Sequence, residues 1–386
     1  MRRLVKTLGA HGLRATGVDR MIGAVNGRGR LPLVLCYHRV VVDVERHRGS
    51  APAQLVSLET LEAQLDWIGR RYRFASLDEV ARSFEEHPDG APQGKRPLAA
   101  VTFDDGYADA YRNAFPLLVR KGIPGAFFVV SGIVGTDRIL AHDELYLLLA
   151  EAEARLGPAR LSVLLTRLGV QWQGSLVELK ERLLDTRSRR GIRRIIDGLR
   201  EEVAIPPELL EDHWALGWPM LREMHAGGMT VGSHTRTHRT LPTEPQEAVW
   251  SELAGSKRAL EEQLGAEVRH LSYPGGQFCR RTVDAAAAAG YRCAYTTCSH
   301  TDRERPLLTI PRRTFWELSS AGLAGTFSPA IASCQVRGVM DLVSPCRADH
   351  GDLGRPRSPS RRRPAAAAVR ASRPMSGRSP AREGAR

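Results

Sequence analysis

The stretch Leu98-Ala99-Ala100-Val101-Thr102-Phe103-Asp104-Asp105-Gly106 decides the fold. Leu98 to Phe103 is apolar and β-prone, and Asp-Asp-Gly is a strong stop signal. A buried strand here delivers both aspartates at its C-terminal end, where open α/β sheets and α/β barrels keep their chemistry. Neighbours on a strand point to opposite sides, but a turn at Gly106 relaxes that alternation. One aspartate can then face a metal while the other faces the attacking water. The competing reading is a solvated Asp-Gly turn.

A second polar run closes another apolar stretch, Val231-Gly232-Ser233-His234-Thr235-Arg236-Thr237-His238. Met229 to Gly232 reads as a short strand with His234 just past it. His238 follows at i+4, so one helical turn is expected to bring both imidazoles to one face. Two histidines and one carboxylate suit a divalent metal, and the spare carboxylate suits a base, which points to metal-assisted hydrolysis. Neutral imidazole and carboxylate accept Zn²⁺ and other first-row metals alike.

Three ordered motifs, TFDDG at 102–106, SHTRTH at 233–238 and His270-Leu271-Ser272-Tyr273-Pro274-Gly275-Gly276, resemble those of the polysaccharide deacetylases (NodB-homology, carbohydrate esterase family 4). The opening Leu33-Val34-Leu35-Cys36-Tyr37-His38-Arg39-Val40 resembles the first strand of many bacterial members. The resemblance covers roughly residues 31–318. It implies that Asp105, His234 and His238 bind the metal, most readily Zn, with Co, Ni or Fe as alternatives. It implies Asp104 as the general base and the Gly275 backbone N–H as a donor to the tetrahedral oxyanion. Tyr273, Pro274 and Arg312 complete the expected substrate-side set.

Two departures from the family pattern stand out. The third motif commonly carries an arginine that fixes the base aspartate, and here Ser272 holds that place. Arg269 and Arg312 are the candidates to replace it in space. The late histidine that serves as general acid has no convincing counterpart, and His300 sits in the polar loop Ser299-His300-Thr301-Asp302. His38 ends the first apolar strand and is the better candidate for the acid. The alternative is a histidine that holds Asp104 or Asp105 in place.

The chain has 386 residues and 42% hydrophobic content, enough for one large or two ordinary domains. The net charge of +13 sits at the ends. Residues 347–386 carry eleven Arg against three acidic residues, and residues 1–30 seven Lys/Arg against one Asp, so the body is nearly neutral. The six cysteines, at 36, 279, 293, 298, 334 and 346, show no Cys-x-x-Cys spacing. They read as free thiols in a reducing compartment. No apolar run is long enough for a transmembrane helix, and residues 1–24 lack a signal-peptide core because Arg14, Asp19 and Arg20 interrupt it. The N-terminus reads as a solvated leader, or as a basic amphipathic segment in peripheral contact with an anionic membrane.

Strands and helices alternate along the body, which predicts an α/β fold, a distorted (β/α) barrel of the polysaccharide deacetylase type. Four regions are expected: a basic leader over 1–30, the catalytic domain over 31–318, a short extension over 319–340, and an Arg/Pro/Ser/Ala-rich disordered tail over 341–386. A helical insertion of about 137–218 leaves the barrel near the end of the strand ending at Val130, placed as a lid or substrate wall. Ser175-Leu176-Val177-Glu178 has the form of a capping box. Arg187 to Arg194 is a basic cluster, read mainly as a solvated helix face. Trp172, Trp214 and Trp218 are candidates for sugar stacking or for helix packing.

The expected activity is hydrolysis of acetyl groups, N-acetyl in the favoured case, on a bacterial exopolysaccharide, capsule or cell-wall glycan or its lipid-linked precursor. The expected location is cytoplasmic, with the inner membrane face as a variant. Two other readings remain: a degenerate barrel that binds glycans without turnover, and nucleic-acid binding through the basic tail.

Overall fold

The structure is a computed structural model that describes residues 2–25, 31–47, 54–87, 96–343, 346 and 350. Its centre is an all-parallel sheet wound into a barrel. The strands Leu33–Tyr37, Leu98–Phe103, Gly125–Val129, Thr230–Ser233, His270–Ser272 and Cys293–Thr296 lie almost wholly buried on both faces. That explains why they read as continuous apolar runs rather than alternating ones.

Closure falls to a short extended segment. Ile310–Pro311 pairs with the strand Cys293–Thr296, and Arg313–Thr314 pairs with Leu33–Tyr37 at the other edge. The chain changes partner at Arg312, so one segment joins both edges of the sheet. The closing segment is therefore two short pairings, with Arg312 between them donating its backbone N–H to the Thr296 carbonyl at 2.9 Å.

Alternate strand residues fill two separate spaces. Val34, Ala100, Ala126, Phe128, Tyr295 and Ile310 pack inside the barrel. Leu35, Tyr37, Val101, Phe103, Phe127 and Leu271 face the outer helices and form the larger core. The interior is narrow: a Cβ added at Gly232 would meet the Phe128 ring at 2.5 Å. The helix Leu77–Glu86 plugs the N-terminal end through Leu77, Val80 and Ala81. Its N-cap Ser76 accepts a hydrogen bond from the Glu79 N–H at 3.3 Å.

The helix that follows the aspartates begins as a π-helical turn, Ala110–Ala114, and continues as Phe115–Lys121. It stops at Gly122 in the left-handed conformation (φ 62°). The insertion forms the helices Ala141–Arg167, Leu176–Thr186, Arg189–Arg200 and Pro207–Glu211, with an apolar core of its own. The capping box is present: Ser175 N–H donates to Glu178 Oε2 at 2.9 Å and Glu178 N–H donates to Ser175 Oγ at 3.2 Å. In the basic cluster Ile192, Ile195 and Ile196 are buried while most arginines stay exposed, as a solvated helix face requires.

The N-terminal leader departs from the solvated expectation. Arg2–Ala15 and Val18–Val25 are helices, and Ala10, Leu13 and Ile22 pack on Ala330, Ile331 and Cys334 of the helix Pro329–Val336. Asp19 is buried and accepts from Ser333 Oγ at 2.6 Å. Isolated pattern reading misses this because the apolar partner lies 300 residues away in sequence. Structure also continues past 341: Val339–Val343 is helical, and His350 is buried. The rest of the Arg/Pro/Ser/Ala-rich tail, and with it the nucleic-acid reading, lies outside the described residues. Among the described residues no helix is long and apolar enough to cross a membrane.

Candidate metal centre and active-site cleft

Both aspartates reach the C-terminal mouth of the barrel, through a backbone reversal. Asp105 takes φ 73° and Gly106 φ 74°, so consecutive carboxylates share one side. Asp105 pays for that with strain that non-glycine residues seldom carry outside functional sites. Gly106 is required here for space as well, since a Cβ would lie 3.0 Å from the Val129 side chain.

The histidines arrive differently from expectation. Residues 234–238 form a turn rather than a helical turn, with Thr235 at φ 64° and His238 at φ 56°. Thr235 Oγ1 accepts from the His238 N–H at 3.0 Å and holds the turn. The rings still converge, with centroids 4.8 Å apart. His234 Nε2 lies 3.4 Å and His238 Nε2 3.2 Å from Asp105 Oδ1. His234 Nδ1 lies 2.8 Å from the Ser272 carbonyl oxygen, to which it donates. That tautomer turns the Nε2 lone pair toward Asp105.

These distances fit a metal. Ligand bonds of about 2.0–2.1 Å at tetrahedral angles place neighbouring N and O ligands about 3.3 Å apart. Asp105 Oδ1 is buried and has no hydrogen-bond partner of proper geometry, so all three atoms aim at one shared point. Electrostatics agree. Burial opposes charge on His234, yet Asp104 and Asp105 raise its pKa. Burial also opposes charge on Asp105, yet the two imidazoles hold its pKa well below the usual carboxylate range. The carboxylates thus favour positive charge among the imidazoles they face.

Asp104 is the more rigid carboxylate. Arg312 Nη1 donates to Oδ1 at 2.7 Å, and Arg312 Nη2 donates to Oδ2 at 2.6 Å. Ser272 Oγ donates to Oδ2 at 3.1 Å and accepts from Arg312 Nη2 at 2.7 Å. Burial pushes the Asp104 pKa up, but Arg312 and then His234 outweigh it and bring it to about 2. The charge that Ser272 cannot supply therefore comes from Arg312. Arg269 points elsewhere, to Asp78 at 3.1 Å and Glu267 at 2.9 Å.

Arg312 is consequently not a substrate-facing residue. Its side chain is fully buried and spent on Asp104 and on Thr102 Oγ1 at 3.0 Å. Tyr273 also leaves the expected substrate set. Its ring is buried against Phe278, with its hydroxyl donating to the Leu308 carbonyl at 3.1 Å. Pro274, Gly275 and Gly276 do line the cleft, together with His38, Asp104, Asp105, His234 and His238. Gly276 (φ 68°) lets the turn approach Thr297, whose Oγ1 would lie 2.0 Å from an added Cβ. His38 Nδ1 is buried without a hydrogen-bond partner, and burial, the largest influence, lowers its pKa despite Asp105 and Asp104 nearby.

The insertion supplies the opposite wall: His142, Lys180, Glu181, Leu184 and Asp185. His142 was not singled out in the sequence. Its ring lies 4.8 Å from that of His238, and burial brings its pKa down to about 4. Its neighbour Asp143 accepts from the Tyr107 hydroxyl at 2.6 Å. The signal available was a His-Asp-Glu start to a helix entering just past a barrel strand. None of Trp172, Trp214 and Trp218 lines this cleft.

Comparison with known proteins gives the family. The family described as polysaccharide deacetylase matches residues 91–294, just over half of the chain. YxkH of Bacillus subtilis, named as a polysaccharide deacetylase, is 20% identical over 268 residues, which cover 69% of this chain and 64% of that protein. The Streptococcus pyogenes deacetylase PplD, solved in complex with acetate, is 19% identical with a TM-score of 0.50, covering 80% of this chain and 98% of that one. IcaB from Ammonifex degensii is 20% identical with a TM-score of 0.48, covering 80% and 97%. At that identity the likeness to PplD is one of fold. With the motif order, the barrel and the matched span in agreement, the chain belongs to the polysaccharide deacetylase family.

Proposed function

We propose that the protein is a metal-dependent hydrolase that removes acetyl groups, most readily N-acetyl, from a carbohydrate. A bacterial exopolysaccharide, capsule or cell-wall glycan, or its lipid-linked precursor, is the substrate class. The observation that carries the reading is the convergence of Asp105, His234 and His238 beside a separate carboxylate locked by Arg312. A glycan-binding barrel without turnover has no need of that second carboxylate.

Asp105, His234 and His238 would hold the metal, Zn²⁺ by preference, with Co, Ni or Fe as alternatives for the same donor set. Once bound, it would act as a Lewis acid on the acetyl carbonyl and make water a better nucleophile. Asp104 stays ionised at neutral pH and accepts the proton of the attacking water. Arg312 and Ser272 fix the direction in which it accepts. The Gly275 N–H donates to the developing oxyanion. His38 and Asp104 offer ligand atoms within 4.8 Å of one another. That position beside the base supports His38 as the acid that protonates the leaving amine.

Solvent-facing Leu4, Val5, Leu8, Met21 and Val25 on the N-terminal helices, beside Arg3, are consistent with action on a lipid-linked glycan at a membrane face. The test of the central reading is acetate release from an acetylated glucosamine oligomer by metal-reloaded protein and by Asp104→Asn. Activity should vanish on chelation, return with Zn²⁺ or Co²⁺, and fall roughly 10²–10⁴-fold in the variant. Metal uptake without acetate release from several acetylated glycans would sink the hydrolase reading.

A further inference from the structure

A second group of metal-ligand side chains lies outside the cleft. Cys298 and His300 come from the loop after the strand Cys293–Thr296, and Cys346 and His350 follow the helix Val339–Val343. Their four ligand atoms lie within 4.8 Å of one another. His350 Nε2 is 3.4 Å from Cys298 Sγ and 3.4 Å from Cys346 Sγ. The His300 and His350 rings have centroids 4.5 Å apart.

We propose that Cys298, His300, Cys346 and His350 bind one structural zinc ion. Zinc bonds of about 2.3 Å to sulfur and 2.0–2.1 Å to nitrogen, at tetrahedral angles, place S and N about 3.5 Å apart. Both S···N separations, 3.4 Å each, match that edge. Two thiolates and two imidazoles are a zinc donor set, and four protein ligands leave no open position for catalysis. His350 carries the expected support: its Nδ1 donates to the Phe278 carbonyl at 2.9 Å, which presents Nε2 to the two sulfurs. The His350 ring also packs on Phe278 with centroids 4.3 Å apart. The spacings Cys-x-His and Cys-x-x-x-His are each too short to draw notice alone. Folding brings them together.

The ion would do more than hold a chain end. Cys298 follows Thr297, which lines the cleft and packs against Gly276 of the Pro274–Gly276 turn. Phe278 follows the same turn two residues on. The zinc therefore ties the C-terminal segment to both loops that build one wall of the substrate cleft. This does not depend on the cleft metal or on the deacetylase reading.

The experiment uses the full chain, reduced and metal-free, titrated with Co²⁺ and in parallel reloaded with Zn²⁺. Wild type should show intense thiolate-to-cobalt charge-transfer absorption, and X-ray absorption of the zinc form should show sulfur neighbours near 2.3 Å. The Asp105→Ala/His234→Ala variant removes ligands of the cleft site, which has no sulfur, and should keep both signals. Cys298→Ser/Cys346→Ser should lose both and bind about one zinc fewer per chain. If that variant does not fold, the Asp105→Ala/His234→Ala protein with Cys36→Ser added still decides, because Cys36, His38 and Asp104 are the other sulfur-bearing group among the described residues. Absence of sulfur ligation in wild type would overturn the proposal. So would a Cys298–Cys346 disulfide in protein whose thiols were blocked during anaerobic lysis.

Discussion

Asp104 and Arg312 form a buried pair in which each side chain depends on the other. Arg312→Gln leaves a buried carboxylate at the barrel mouth without its charge partner, a loss on the order of 3–5 kcal/mol for such pairs. The expected outcome is a clear drop in the urea midpoint together with lower activity. The pH profile separates the two causes. Arg312 holds the Asp104 pKa at about 2, so in wild type its titration lies below the working range. Without the guanidinium, burial pushes the pKa up, and the acid limb of kcat/KM should move to higher pH. Arg312→Lys, which keeps the charge but loses the two-pronged contact, should fall between them. An unmoved acid limb in Arg312→Gln would show that Asp104 is not the titrating base. The catalytically degenerate reading loses its main support here, because the charge missing at Ser272 is present in space.

The elements hold the site through their ends. The helix Leu77–Glu86 closes the barrel floor, with Asp78 Oδ1 3.1 Å from His270 Nε2 and Asp78 Oδ2 3.1 Å from Arg269 Nη1. The hydrogen bond from His270 is the main reason the Asp78 pKa drops to about 2. A depressed carboxylate pKa stabilises the fold above the unfolded value of about 4, and that stabilisation is lost as pH falls from there toward 2. Asp78→Ala should therefore be less stable than wild type at pH 7, and the gap should close across that acid window. Asp78 is 39% exposed, so solvent screening limits the loss to about 1 kcal/mol or less. Parallel thermal melts at neutral and acid pH check it, and a gap that does not narrow would rule out the ion-pair account. The capping box at Ser175 shows the same logic legible from sequence, since both partners are local.

At the scale of the whole molecule, the N-terminal helices are tied to a helix that lies far along the sequence, with Ser333 bonded to Asp19 across 314 positions. The helices Arg2–Ala15 and Val18–Val25 cover the apolar side of Pro329–Val336, and Lys6 Nζ donates to the Ser319 carbonyl at 2.6 Å. A chain lacking residues 1–25 exposes Ala330, Ile331 and Cys334 and leaves Ser333 without Asp19. Its stability should fall by on the order of 2–4 kcal/mol, from lost burial alone. Metal uptake at Asp105, His234 and His238 should persist, since no ligand touches these helices. An unchanged melting temperature would mean that the N-terminal helices do not dock in solution.

The motifs were readable because their chemistry is local. A buried parallel strand must be apolar on both faces, and its polar end residues must be tolerated for a reason. That logic places Asp104, Asp105, His234 and the Pro274–Gly276 turn at one barrel mouth. The tertiary structure decided everything that depends on residues distant in sequence. It brought Arg312 to Asp104 from 208 positions away, set His142 against His238, buried Tyr273 in the core and docked the N-terminal helices. It also gathered Cys298, His300, Cys346 and His350. Periodicity and capping report only on interactions within a few residues. A buried charge pair or a split ligand set becomes visible only when the barrel closes, and here a single extended segment with Arg312 at its centre closes it.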